Sequence, residues 1–234
     1  MTMTDSPQLV AIHYSMRSVA DAWALPKVPV PESHAHDLLV RYLTALLEAW
    51  VRRTSLDAVV TCNLALRWSE GKPSVGIDPD VMLITPAPPD LVHLASLCTW
   101  KPGHVPPRLA IEVVSKNHPY KDYRELHERY AASGVGELWV LGPTALGGPV
   151  PIQQWMRRNN GFQRMHFGDG PIYSESVDAW LWADPIRLTE DAGGTRPWLT
   201  GEEAERSAKE AERSAREAAE ARIAELERQL AAKK

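Results

Sequence analysis

The sequence predicts a mixed α/β (α+β) domain that carries a charged helical tail. Three observations predict it: an amphipathic helix followed by apolar segments of strand period, a strand–helix–strand unit at mid-chain, and a seven-residue repeat near the end. The 234 residues, 44% hydrophobic and 24% charged, suffice for one substantial core plus an appendage. Residues 1–32 read as an N-terminal segment, 33–198 as the core and 199–234 as the tail.

Each element has a local cause. Leu25 to Pro31 is a proline-rich connector and should be extended. Ser33 then stands as an N-cap, and Asp37 suits the positive end of a helix. Leu39, Leu43, Leu46 and Trp50 repeat at helical spacing, so 34–53 is expected to be an amphipathic helix closed by Arg52 and Arg53. From Val60 to Trp68 the period drops to two, which predicts one half-buried strand. Asp80 to Ile84 (DVMLI) and Leu109 to Val114 (LAIEVV) are short apolar strands. Residues 119–133 form the second expected helix, with Tyr123, Leu126, His127 and Tyr130 on one face and Gly134 as its stop. Glu137 to Leu141 (ELWVL) is the next strand, and the unit 109–141 implies parallel strands joined by a crossover. Strands at 151–157 and 162–167, turning at Asn159-Asn160-Gly161, and further β structure complete a mixed sheet.

In the tail, Ala204 to Glu210 (AERSAKE) repeats nearly unchanged as Ala211 to Glu217 (AERSARE). Ala204, Ala208, Ala211 and Ala215 make a stripe at coiled-coil spacing, resumed after a slip by Ile223, Leu226 and Leu230. A solvated helix held by Glu–Arg pairs and a weak association seam both fit this pattern, because alanine buries little area.

Composition narrows the function classes. The net charge of −4 announces no general basic surface, although a local basic groove stays open. Nine Trp, spread along the chain, read as packing residues. The two cysteines, Cys62 and Cys98, have neither metal-ligand nor disulfide-framework spacing, which fits a reduced cytoplasm. The first residues lack a signal-peptide pattern, and no apolar run approaches the roughly 20 residues that span a bilayer.

Two carboxylates sit where strands should be greasy. Glu112 lies inside an apolar strand, and a buried ionised Glu costs several kcal/mol unless paired or bound to a cation. Asp80 opens the other short strand, just after Asp78 and Pro79. If the two strands are neighbours, both carboxylates can face one side and hold a hard cation such as Mg²⁺. Lys116 shares the strand parity of Glu112, and Lys121 opens the following helix; either could assist hydrolysis at a phosphate. The bland alternatives are a turn at Asp78-Pro79-Asp80 and a structural partner for Glu112, such as Arg108 or a helix residue. The histidines, His34, His36, His104, His118 and His127 among them, are expected to cap or pack, since no pair has ligand spacing on a helix face.

Five segments in order, Gly76 to Val81 (GIDPDV), Pro107 to Ser115 (PRLAIEVVS), Tyr120 to Tyr123 (YKDY), Tyr130 to Val135 (YAASGV) and Glu137 to Val140 (ELWV), resemble the Uma-type family of bacterial endonucleases within the PD-(D/E)xK superfamily. The likeness spans roughly residues 20–190. It implies a restriction-endonuclease-like fold, a mixed central sheet flanked by helices, in which Asp80 and Glu112 bind Mg²⁺ (or Mn²⁺) and DNA is the substrate. The superfamily's lysine two residues past the Glu is Val114 here, and the helix lysine of many Uma-type members is Leu126; Lys116, Lys121 and Arg129 are the remaining cations. Gly142 stands where the family often has Asp. Two readings follow: a Mg²⁺-dependent DNA endonuclease, and a catalytically inactive relative that binds nucleic acid or scaffolds a partner through its tail. A homodimer is expected in either case.

Overall fold

The computed structural model describes residues 11–12, 23–25, 33–114, 126–142, 152–159 and 161–232. Helix α1 (His34–Thr54) begins where Ser33 Oγ accepts the backbone N–H of His36 at 3.3 Å. It ends at Ser55, whose left-handed backbone turns the chain away. Its inner stripe buries Val40, Leu43, Leu46 and Leu47.

The segment expected to be one strand from Val60 to Trp68 is two. Strand β2 (Val59–Cys62) and strand β3 (Ala65–Arg67) are separated by Asn63, which holds a positive φ of 51°. Alternation reports which side chains face inward, but not that an asparagine takes the left-handed region and diverts the chain between sheets. Strand β3 leaves to pair in parallel with β5 (Ser96–Cys98) in a small sheet of its own.

The main sheet adds β1 (Ala11–Ile12), β4 (Val81–Ile84), β6 (Leu109–Val113), β7 (Glu137–Leu141), β8 (Ile152–Arg158) and β9 (Gly161–Gly168) to β2. Its order is β1-β9-β8-β7-β6-β4-β2. Strands β6 and β7 run parallel, as a crossover connection requires, and the other pairs are antiparallel. Helix α2 (Leu126–Ser133) lies in that crossover and stops at Gly134, whose φ of +87° suits a glycine. Residues 119–125 of the expected helix lie outside the described residues. The further β structure is an antiparallel sheet of β10 (Ile172–Ser174), β11 (Ala179–Ala183) and β12 (Ile186–Thr189). The mixed central sheet flanked by helices is therefore as the sequence predicts.

Each face of the main sheet has its own cluster. Val81, Leu83, Leu109, Ile111, Trp139 and Leu141 pack beneath α1 and the small antiparallel sheet. Met82, Ala110, Leu138, Val140 and Trp155 pack beneath Leu126, Tyr130 and Ala131 of α2. Alternation along β4, β6 and β7 thus assigns even and odd residues to opposite layers.

Glu137 ties the two larger sheets together. It is 1% exposed and accepts from Trp139 Nε1 (2.7 Å), Gln154 Nε2 (2.8 Å), Ser174 Oγ (2.9 Å) and the Ser176 amide (3.1 Å). His104 is similarly structural: its Nδ1 accepts the Cys98 amide at 3.2 Å, so Nε2 carries the proton toward Asp90 at 2.9 Å.

Two units divide the chain, Met1–Trp198 and Leu199–Lys234. The second is helix α3 (Gly201–Ala231), opened by a reciprocal cap in which Thr200 Oγ1 accepts the Glu203 amide and Glu203 Oε2 accepts the Thr200 amide. Exposed pairs Glu202–Arg206, Arg213–Glu217 and Arg216–Glu220 run along it. Among the described residues no helix is long and apolar enough to cross a membrane.

Replacing Glu137 by Ala strands four buried donors and should cost about 3–5 kcal/mol. At the scaling of domains this size, Tm should fall by about 10 °C or more in a calorimetric scan.

Candidate active site

Strands β4 and β6 pair with Val81 opposite Ile111 and Met82 opposite Ala110. Continuing that antiparallel register by one residue sets Asp80 opposite Glu112. By strand alternation both belong to the layer of Met82 and Ala110 under α2, and Asp80, in the bend just before β4, is also reached by His36 of α1. Asp80 is 9% exposed and Glu112 8%, so the acids meet at the end of the sheet with little water around them. Like charges directly opposite on neighbouring strands are destabilising, and burial sharpens the repulsion.

The segment delivering Asp80 is pinned along its length. Gly76 donates to the Trp23 carbonyl at 3.1 Å, Ile77 exchanges backbone bonds with Leu66, and the Pro79 carbonyl accepts from Asn63 at 3.2 Å. A side chain at Gly76 would stand 2.7 Å from the Leu66 carbonyl oxygen, so only glycine fits this close approach. The stretch Asp78-Pro79-Asp80 does make a bend before the strand, and it also carries Asp80 into the buried layer while Asp78 stays exposed.

Among the described residues, three groups contact the two carboxylates. The Val113 amide donates to Asp80 Oδ2 at 2.7 Å, and His36 Nε2 lies 3.2 Å from the same oxygen. Helix α1 brings its first turn, and with it the positive end of its dipole, to this acid. Tyr130 of α2 donates its phenol to Glu112 Oε1. Burial first, then the field and hydrogen bond of Glu112 and the fields of Asp80 and Asp78, hold the Tyr130 phenol well above its ordinary pKa. The phenol is therefore a fixed donor across the working pH range.

Arg108, considered as a partner for Glu112, instead donates to the Glu175 carbonyl at 3.4 Å. The fifth residue of β6, Val113, ends the strand, and Val114 is 2% exposed, so it fills apolar space where the superfamily has its lysine. Lys116, Lys121 and His118 lie outside the described residues. Arg129, beside Tyr130 on α2, is 9% exposed.

Three groups at the site were not singled out by pattern. Asp78 was legible only as part of a turn. His36 was expected to cap or pack, yet its ring reaches Asp80, a contact set by where α1 docks. Tyr130 carried one usable signal: a tyrosine on the inner face of a helix buries its ring and so needs a partner for its hydroxyl.

Residues 25–146, just over half of the chain, match the model of the Uma2 family, described as "Putative restriction endonuclease". The chain belongs to the Uma2 family. Asp78, Asp80, Glu112 and Tyr130 all fall within the matched stretch, and the Uma-type resemblance of the five sequence segments is thereby borne out. No curated protein matches the chain. A solved structure similar to this Uma2 chain is that of a "putative nuclease belonging to DUF820" from Anabaena variabilis, 11% identical, with a TM-score of 0.43, covering 64% of this chain and 77% of that one.

Among the described residues no three His, Cys, Asp or Glu side chains converge as a metal-binding set. Two carboxylates are nonetheless the donor set that suits Mg²⁺, which keeps several waters and shares its remaining positions with substrate phosphate oxygens. Oδ2 of Asp80 is occupied by Val113 and His36, while Oδ1 has no hydrogen bond among the described residues.

Tyr130→Phe should leave the fold intact but remove a donor from a buried carboxylate, a loss of about 1.5–3 kcal/mol in urea unfolding. The histidines predict a pH dependence. Burial lowers the pKa of His127 and of His166 from 6.5, and the Arg164 charge adds to the effect at His127. The unfolded chain then takes up protons first, so stability is complete above pH 6.5 and falls as pH drops through the folded-state values. Urea midpoints between neutral pH and pH 5 should show this slope, and His127→Gln should flatten it.

Proposed function

We propose that this Uma2 protein is a divalent-metal-dependent nuclease that hydrolyses phosphodiester bonds in DNA. One observation carries the reading: Asp80 and Glu112, in the family-matched region, face each other across two neighbouring strands at the rim of the sheet. A cation between them would relieve the repulsion that their burial creates.

In this reading Asp80 and Glu112 hold Mg²⁺ or Mn²⁺. The ion would supply an activated water and neutralise charge on the scissile phosphate. Val113 and His36 fix the Asp80 carboxylate, and Tyr130 fixes that of Glu112, so both oxygens are oriented before the ion arrives. A further cation at the phosphate is assigned to Lys116 or Lys121, which follow Glu112 in the chain, because Val114 and Leu126 supply none.

A second reading is favoured by the tail. Helix α3 exposes Ile223 by 55% and Leu226 by 43% on an otherwise charged helix, and a protein that dimerises or recruits a partner there needs no chemistry at all. Ile223→Glu with Leu226→Glu in the full chain should convert a dimer to a monomer in sedimentation if this seam self-associates. Unchanged mass would remove the seam from consideration.

The nuclease reading is tested on supercoiled and single-stranded DNA with Mg²⁺, Mn²⁺ or a chelator. Cleavage should require metal and drop by about 100-fold or more in Asp80→Asn and in Glu112→Gln. Cleavage that both variants retain, or calorimetry showing no Mg²⁺ or Mn²⁺ uptake by the wild-type chain, would overturn it.

A further inference from the structure

The pairing registers continue the row that begins at the two carboxylates. Glu112 stands beside Val140, Val140 beside Gln153, and Gln153 beside Phe167. The next row reads Met82, Ala110, Leu138, Trp155 and Arg164. A bulge makes this possible. Trp155 pairs with Arg164 and Gln154 with His166, so Met165 is the extra residue, and the shift turns Phe167 onto the face of Trp155. Without the bulge, strict alternation would send Phe167 to the other layer.

Between the carboxylates and Phe167 the row passes beneath α2, where Val140 and Gln153 are buried. It emerges at β9 as a surface of unusual composition. Phe167 is 49% exposed on a strand that otherwise buries its ring at Phe162. The Arg164 guanidinium sits 5.3 Å from the centre of the Phe167 ring and 5.8 Å from that of Trp155. His127, one turn before Tyr130 on α2, stacks on Trp155 at 4.7 Å with the planes 7° apart. Arg157 crosses Phe162 at 5.6 Å and donates to the Ala131 carbonyl at the end of α2. Arg157 and Arg164 are the charged side chains of β8 and β9 on this face, at the end away from Glu112 and Asp80.

We propose that Phe167 and Arg164 form a contact for unpaired nucleotides of the DNA strand whose phosphate lies at Asp80 and Glu112; this rests on the nuclease reading. A half-exposed ring accepts any base by stacking, and the arginine beside it takes the adjoining phosphate. A duplex cannot use the ring, because its bases are already stacked. Three strand steps separate Glu112 from Phe167, about 14 Å in a straight line beneath α2. A strand that reaches both places passes around the helix and needs more than the roughly four stacked nucleotides this distance would hold. The surface therefore selects single-stranded or frayed DNA.

Anisotropy of a labelled oligothymidylate and of a duplex of equal length, in chelator so that nothing is cut, tests the assignment. The wild-type chain should prefer the single strand. Phe167→Ala should weaken that binding about tenfold and leave duplex binding nearly unchanged, and Phe167→Trp should restore it. Arg164→Gln should lower the slope of log affinity against log salt by about 0.7, the contribution of one single-strand phosphate. Wild-type affinity in both Phe167→Ala and Arg164→Gln would overturn the proposal, while metal-dependent cleavage that still needs Asp80 would leave the nuclease reading standing. A wild-type chain that neither binds nor cuts DNA would overturn both. Failure of Phe167→Trp to rescue would mark the ring as structural and also count against the contact.

Discussion

The register between β4 and β6 is the constraint on which the site depends. Side chains alternate along a strand, so a slip of one residue would send Asp80 and Glu112 to opposite layers of the sheet. The apolar residues around them hold the register. Val81, Leu83, Leu109 and Ile111 belong under α1, and Met82, Ile84 and Ala110 under α2, so a slip of one residue would turn a full set of buried side chains to the wrong layer. The acids are thus placed by their greasy neighbours. The Asp80 carboxylate adds its own lock by accepting the Val113 amide just past the last paired residues.

The chain also contains a control for the argument that a carboxylate in an apolar strand must hold a cation. Glu137 is as unexpected in ELWVL as Glu112 is in LAIEVV, and it is the more deeply buried of the two. Four neutral donors converge on it from three segments of chain, satisfying both oxygens. It is a joint between sheets. Glu112 differs in facing a second acid across the strand pair, beside a phenol that burial first, and then the two acids, keep protonated. Burial of a charge is therefore not the discriminating feature. The sign of the charge opposite it is.

The two faces of the main sheet divide the labour. The face under α1 is filled by aliphatic residues and by the small antiparallel sheet, and it carries the joint at Glu137. The face under α2 holds the carboxylate pair at one end and the arginine–aromatic surface of β9 at the other. Helix α2 connects these ends physically, with Tyr130 on Glu112 and His127 on Trp155 a single turn apart. The short strand–helix–strand crossover that makes β6 and β7 parallel is what sets that helix over the middle of the row.

Much of this was legible in the residues. The period of Leu39, Leu43, Leu46 and Trp50 determined α1, the capping Ser33 its start, and Gly134 the end of α2, because those are local choices of backbone and burial. Five short segments sufficed for the family, and the two acids in greasy strands are positions that the β4–β6 register brings opposite each other. What the sequence could not carry was every relation between distant residues. The break at Asn63, the contact of His36 with Asp80, and the bulge that turns Phe167 toward the layer of Glu112 have no local signature. A side chain's period states only that it faces inward; which partner it meets is decided by how strands align and helices dock, and that follows from the packing of the whole core.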